Sequence, residues 1–307
     1  MMKKILLSSS NDLKKGKPTA ITIAIFVLLT IYTVVLFTPI IWSIIASFMD
    51  NTDFNNFFGT LKAYKKPIKY TFDNFVYAWN NVTVTPTTAT DSIFMIPDLL
   101  VNSVLYSFGC ASAFTICPVI VAYATSRFKY GFSKIVYGFV IVTMALPIVG
   151  SMASEIRMLY NLGIHDTFPS IFIMRFNFLS IYFLILHAQF SSLPMDYTEA
   201  AKIDGASNFR IMMQVIIPQS LNTIVTVFVL SFITYWNDYQ IPLLYLPSYP
   251  TAAYGIYDFV VLNAANEGAY APTQLAATLI MTLPIIIVFI IANKRIRVSV
   301  AMGGIKG

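Results

Sequence analysis

The chain has 307 residues, 57% of them hydrophobic and only 11% charged, with a formal net charge of +6 and a mean hydropathy of +0.71. A soluble domain needs more charge to keep its surface wetted, so a water-soluble enzyme or binding module is excluded. The excess of Lys and Arg has a sufficient cause in membrane orientation and needs no nucleic-acid partner.

Six predominantly apolar stretches contain no Asp, Glu, Lys or Arg: 20–49, 99–126, 135–154, 176–195, 211–237 and 268–293. Each reaches the roughly 20 residues that cross a bilayer core as helix. The fold class predicted is therefore an all-α polytopic membrane protein with six transmembrane helices. Residues 239–257 are also uncharged but carry Pro242, Pro247 and Pro250, which suits a structured loop better than a spanning helix.

The first apolar stretch follows Lys3, Lys4, Lys14, Lys15 and Lys17 and is too long for the apolar core of a cleaved signal. It is expected to be a retained anchor with its basic arm in the cytoplasm. Alternating the sides from there gives the cytoplasmic face fourteen of the 20 Lys and Arg residues, including Arg127, Lys129, Lys134, Lys202, Arg210 and Lys294. That bias places both termini in the cytoplasm.

Residues 1–98 are expected to form the N-terminal arm, first span and a long extracellular loop that folds against its neighbours. Residues 99–293 form a five-helix core, and 294–307 a cytoplasmic tail. Pro39, Pro118, Pro147 and Pro284 fall inside spans and are expected either to kink them or to line a path that opens and closes. Cys110 and Cys117 sit two turns apart on one span, about 10 Å along the axis, too far to bridge to each other. No ionisable Asp, Glu, Lys or Arg is expected near the middle of a span, which speaks against an ion-coupled carrier. His165 and His187 fall on opposite sides, against a membrane-embedded enzyme. Nothing in the sequence matches a Gly-rich phosphate loop with its Lys and Ser/Thr, so ATP hydrolysis by the chain itself is not expected.

Between the fourth and fifth spans lies Glu199-Ala200-Ala201-Lys202-Ile203-Asp204-Gly205-Ala206-Ser207. Pro194 suits a first helical turn, Asp196 and Glu199 complement its positive end, and two alanines favour helix while adding almost no bulk. Gly205 supplies a left-handed stop. A second short helix is expected from Ser207 to Ile217, with Phe209, Met212, Met213 and Ile216 on one apolar face, before Pro218 begins the next span. Residues 190–218 thus read as a helix–turn–helix on the cytoplasmic face, whose small tip and carboxylate fit either docking into a cleft or a purely structural hairpin.

Glu199-Ala200-Ala201-x-x-Asp204-Gly205, with Ile216-Ile217-Pro218 following, resembles the EAA loop of permease subunits of bacterial binding-protein-dependent ABC importers. Asn102-Ser103, Ala122-Tyr123-Ala124-Thr125-Ser126-Arg127-Phe128, Leu162-Gly163-Ile164-x-x-Thr167 and Trp236-Asn237-Asp238 extend the likeness to the MalG-type permeases of carbohydrate importers. The resemblance implies a type I ABC importer permease fold in the bacterial plasma membrane. It implies a second, MalF-like permease, two cytoplasmic ATPase subunits and an extracellular solute-binding protein as partners, with ATP and Mg on the ATPase and no cofactor on this chain. It makes Glu199, Ala200, Ala201, Asp204 and Gly205 the contact with the ATPase. The tail Asn293-Lys294-Arg295-Ile296-Arg297 departs from the family in lacking an aromatic pair.

Trp236, Asn237, Asp238 and Tyr239 end the fifth span, followed by Tyr245, Tyr249, Tyr254 and Tyr257. Aromatic faces with amides and carboxylates suit sugars. The same residues also suit an interfacial aromatic belt or contact with a binding protein. A non-sugar solute, or an ion-coupled carrier, remain the alternatives at this point.

Overall fold

The computed structural model of the protein describes residues 20–59, 67–86, 92–128, 130–146, 150–262 and 270–304. The basic arm, Lys62, Lys65, Lys66, Lys129, Pro147 and the final residues 305–307 lie outside the described residues. The chain forms two compact units, Met1–Thr71 and Phe72–Gly307.

In the first unit, α1 (Ala20–Ser47) is an apolar rod. Thr30, Thr33, Thr38 and Ser43 donate their hydroxyls to carbonyls one turn back, so no polar group interrupts its surface. Its side chains are exposed until the last turn, where Ala46 and Ser47 are buried. There Trp42 packs on Phe54 and Phe58 of α2 (Asn51–Gly59), and the Lys69 N–H donates to Asp53 at 2.7 Å.

The second unit starts with α3 (Asp73–Asn81) and a short antiparallel pair, β1 (Thr83–Val84) and β2 (Phe94–Met95). It is organised around α4 (Ile96–Arg127), 32 residues long and about 48 Å by helical rise. Pro97 sits in its first turn, and the Asp98 carboxylate accepts the Met95 N–H, closing its N-terminus. Then come α5 (Gly131–Ala145), α6 (Met152–Asn161), α7 (Phe168–Arg175), α8 (Ile181–Ser192), α9 (Asp196–Ile203), α10 (Asn208–Gln219), α11 (Leu221–Trp236), α12 (Gln240–Tyr245), α13 (Ala252–Leu262) and α14 (Ala271–Gly304).

Three apolar clusters follow one another along α4. Ile96 and Leu99 join Ala78, Val84, Ala252, Ala276 and Met281. Tyr106, Cys110 and Ala111 join Leu159, Ile171, Phe232 and Trp236. Val119, Ala122 and Tyr123 join Val140, Phe183, Phe190, Ile211 and Ile216. Gly109 lets α7 press against α4, since a Cβ there would collide with the Phe172 ring.

Every apolar stretch of the sequence carries a helix, but their lengths differ. Among the described residues α1, α4 and Ala271–Asn293 of α14 are long enough to cross a bilayer unbroken, and α10 with α11 forms a fourth, bent candidate. Stretch 135–154 is interrupted where Gly150 adopts φ of +91°. In 176–195 the Leu179 N–H bonds to the Asn177 side chain and delays the helix until Ile181. The uncharged residues 239–257 form short helices and a turn, as their prolines require.

Candidate functional site

The loop expected to dock forms at the end of the bundle where α4 finishes. Helix α9 starts with Asp196 and Glu199 in its first turn. It ends on Gly205, whose φ is +77°. The Gly205 N–H donates to Lys202 O at 3.0 Å and the Ala206 N–H to Ala201 O at 2.9 Å, the paired bonds of a Schellman stop. The turn is closed by Ser207, whose hydroxyl accepts the Arg210 N–H and opens α10.

Alpha-helical spacing then sorts the side chains. Thr198 is buried and Ala201 is half-buried against the cluster around Tyr123 and Phe190. Glu199, Ala200, Lys202, Asp204 and Gly205 are exposed, and Ile203 is 86% exposed. The two alanines therefore divide the work: Ala201 seats the helix and Ala200 faces out. Glu199 makes no side-chain bond among the described residues, so its carboxylate is available to a partner.

The second helix departs from the expected face. Ile211, Met212 and Ile216 are buried, whereas Phe209 is 68% and Met213 47% exposed. The cause is a π turn over Met212–Ile216, which advances the register by one residue. At Ser220 the chain bends by 80° into α11, so α10 crosses the end of the span, and the fifth span begins at Leu221. Pro218, which has no N–H to donate, prepares this bend.

Two side chains of α4 brace the loop, and sequence reasoning had assigned neither of them to it. Arg127 is 5% exposed and donates from Nη1 to Leu193 O at 3.0 Å, just before α9 begins. The Tyr123 hydroxyl donates to Asn208 O at 3.1 Å, at the start of α10. In the sequence Arg127 serves as a topology marker and as part of the Ala122–Phe128 likeness to the MalG-type permeases. A partner 66 residues away leaves no local signal, although the buried position of an arginine at a span terminus now explains itself.

The other end of α4 holds the second candidate group. Trp236 is 4% exposed, stacked on Phe232, and donates Nε1–H to Met281 O, so its face is packed rather than presented. Asp238 is also engaged: it accepts the Tyr106 hydroxyl at 2.9 Å and caps α12 through the Gln240 and Ile241 N–H groups. Asn237 donates to Ile233 O but remains exposed. Tyr239 stacks on Tyr257 with ring centroids 4.4 Å apart. Asn237, Tyr239 and Tyr257 border a cavity of about 320 Å³ with Thr278 and Thr282, floored by Trp236 and Met281.

Four further contacts shape this end. Asn102 donates to Pro250 O, and Ser103 accepts the buried Ala252 N–H at 2.6 Å, which fastens the loop before α13 to α4. Asp166, in a left-handed turn of φ +61°, accepts the Ser248 N–H. The Tyr245 hydroxyl donates to Glu155 at 2.9 Å. Burial first, and that carboxylate acceptor second, push the Tyr245 phenol up to about 12.

Arg175 lies in the connection between the third and fourth apolar stretches. It ends α7 with its guanidinium carbon 5.8 Å from the Tyr235 ring centre of α11, and its Nε is buried without a hydrogen-bond partner among the described residues. A cation therefore reaches the bundle from a helix that does not itself span, which scanning each span for charge does not detect.

The described core is thus a set of apolar helices around α4 with a braced two-helix arm at one end. Residues 115–298, more than half of the chain, match the model of the binding-protein-dependent transport system inner membrane component family. The chain belongs to that family and is a membrane-embedded permease subunit of an ABC transport system. It is 23% identical over 294 residues to the diacetylchitobiose uptake system permease protein NgcG of Streptomyces coelicolor, covering 90% of this chain and 86% of the relative. It is 28% identical to the trehalose transport system permease protein SugB of Mycobacterium tuberculosis, covering 68% and 78%. It is 26% identical to the sn-glycerol-3-phosphate transport system permease protein UgpE of Salmonella typhimurium, covering 64% and 69%. Its fold is similar to a chain of a bacterial ABC transporter involved in the import of the acidic polysaccharide alginate, with a TM-score of 0.70, 21% identity and coverage of 89% and 95%.

Proposed function

We propose that this chain is one half of the translocation path of a carbohydrate importer, and that the exposed face of α9 transmits the work of a separate cytoplasmic ATPase. The observation that carries this reading is the division of α9. Its inner face is anchored by Ala201 and Thr198, and Arg127 pins the chain just before it. Its outer face offers Glu199, Ala200 and Ile203 with no side-chain partner among the described residues.

Small Ala200 permits close approach, Ile203 supplies apolar area, and Glu199 offers a carboxylate to a basic residue on the cleft wall. Because α10 crosses the end of α11 and both rest on α4, a push on α9 reaches the span as a rigid-body movement rather than being absorbed locally. ATP and Mg belong to the ATPase. A second permease completes the pore, and an extracellular solute-binding protein delivers the solute.

A carbohydrate as solute is supported by the named substrates of the relatives and by the cavity where the Tyr239–Tyr257 pair stands beside Asn237, Thr278 and Thr282. A phosphorylated polyol is the second reading, favoured by the glycerol-3-phosphate relative. Cysteines placed at Ala200 and Ile203 of the assembled transporter should crosslink to the ATPase. If they label only with lipid-soluble or water-soluble probes in a complete, transporting assembly, the coupling role is wrong. Identifying the solute held by the co-purified binding protein decides between sugar and phosphorylated polyol.

A further inference from the structure

A second cavity lies at the coupling end yet apart from α9. It has a volume of about 650 Å³ and opens between the end of α4, the first turns of α5 and the end of α8. Ser126, Tyr130, Lys134, Tyr137, His187 and Ser191 supply its polar wall. Among the described residues no Asp or Glu lines it, and Lys134 has no acidic partner. His187 is held by the Tyr137 ring, 4.9 Å away. A wall of one ammonium, an imidazole and several hydroxyls, without a carboxylate, presents donors to an anion.

The surroundings point to where such an anion comes from. On the same helix, Phe132 is 62%, Ile135 64% and Phe139 55% exposed, an apolar flank on either side of Lys134. Tyr130 and Tyr137 are 43% and 37% exposed beside it. Tyrosines and a lysine above an exposed apolar helix face are the arrangement found where a membrane meets water. Such a surface suits a headgroup at the cavity mouth and acyl chains along the apolar flank of α5.

We infer that this cavity is a binding site for the phosphate of an anionic phospholipid in the cytoplasmic leaflet, with Lys134 as the charge and Tyr130, Tyr137 and Ser191 as hydrogen-bond donors. The sidedness rests on the coupling reading above, because Arg127 and Tyr123 tie this end of α4 to the α9 loop. The site itself shares no residue with the outward face of α9. Basic pockets between helices on this side are suited to anionic headgroups.

The test is native mass spectrometry of the assembled transporter from nanodiscs of phosphatidylcholine mixed with phosphatidylglycerol. Retained phosphatidylglycerol is expected to fall about fivefold in Lys134→Gln and to be restored in Lys134→Arg. Inorganic phosphate in excess should leave retention unchanged. Equal retention by wild type and K134Q overturns the inference, and so does displacement by inorganic phosphate, which would make the ligand a soluble anion. Lipid retention is read without ATP hydrolysis, so its failure is distinguishable from failure of the coupling reading, which the α9 crosslinks report separately.

Discussion

The two ends of α4 carry the two groups of residues singled out by sequence, and they use their polar atoms in opposite ways. At the α9 end, Glu199, Asp204 and Lys202 are exposed, while the internal bonds are made by backbone groups, Arg127 and Ser207. At the far end, Asp238, Trp236 and Ser103 spend their polar atoms on the chain itself. A group whose bonds are satisfied internally stabilises the fold, whereas one held rigidly with its bonds open is prepared for a partner.

The sharpest way to break this contrast is at Gly205. Gly205→Val places a β-branched residue at φ +77°, costing about 1–2 kcal/mol locally and displacing the tip of α9. Uptake by the reconstituted transporter is expected to be lost while its subunits still co-purify; normal uptake would show that the shape of the turn is immaterial. Next, Glu199→Lys should weaken the ATPase contact about tenfold, the scale of a charge-assisted hydrogen bond, with an unchanged melting temperature.

At the far end the same kind of change should act on stability instead. Ser103→Ala leaves the buried Ala252 N–H without its acceptor, a loss of about 1–3 kcal/mol, read as a lower melting temperature in detergent. Asp238→Ala should behave alike, with uptake falling only as folded protein is lost. If Asp238→Ala abolished uptake at full stability, the carboxylate would be a substrate contact and the contrast would fail there.

The smallest effect concerns pH. The Tyr245 phenol is raised in the folded state to about 12, so its neutral form is favoured by folding. That contribution is complete below the ordinary phenol value of about 10 and lost as pH rises through the folded value. Tyr245→Phe should flatten the alkaline decline in melting temperature between those two values; an unchanged slope would mean that another group governs it.

Much of the architecture was legible because lipid imposes a strong rule on sequence. Uncharged apolar stretches located every major helix, and the proline-rich 239–257 was readable as a non-spanning segment. The Gly205 stop was equally legible, since only a left-handed residue closes such a turn. The face of α10 was not, because the π turn at 212–216 shifts register without any residue that announces it. Nor were Arg175 and Arg127, whose partners lie about 60 positions away in the sequence.

By itself the sequence determined the membrane class, the helical segments and the helix–turn–helix with its Gly205 stop, all of which follow from local composition, turn chemistry and short motifs. Tertiary structure alone decided which alanine of the pair faces inward, that Asp238 is bonded to Tyr106, and that Arg175 enters the bundle. Those outcomes depend on helix packing around α4, where hydrogen bonds join residues as much as 149 positions apart, and no local pattern encodes which distant side chains will meet.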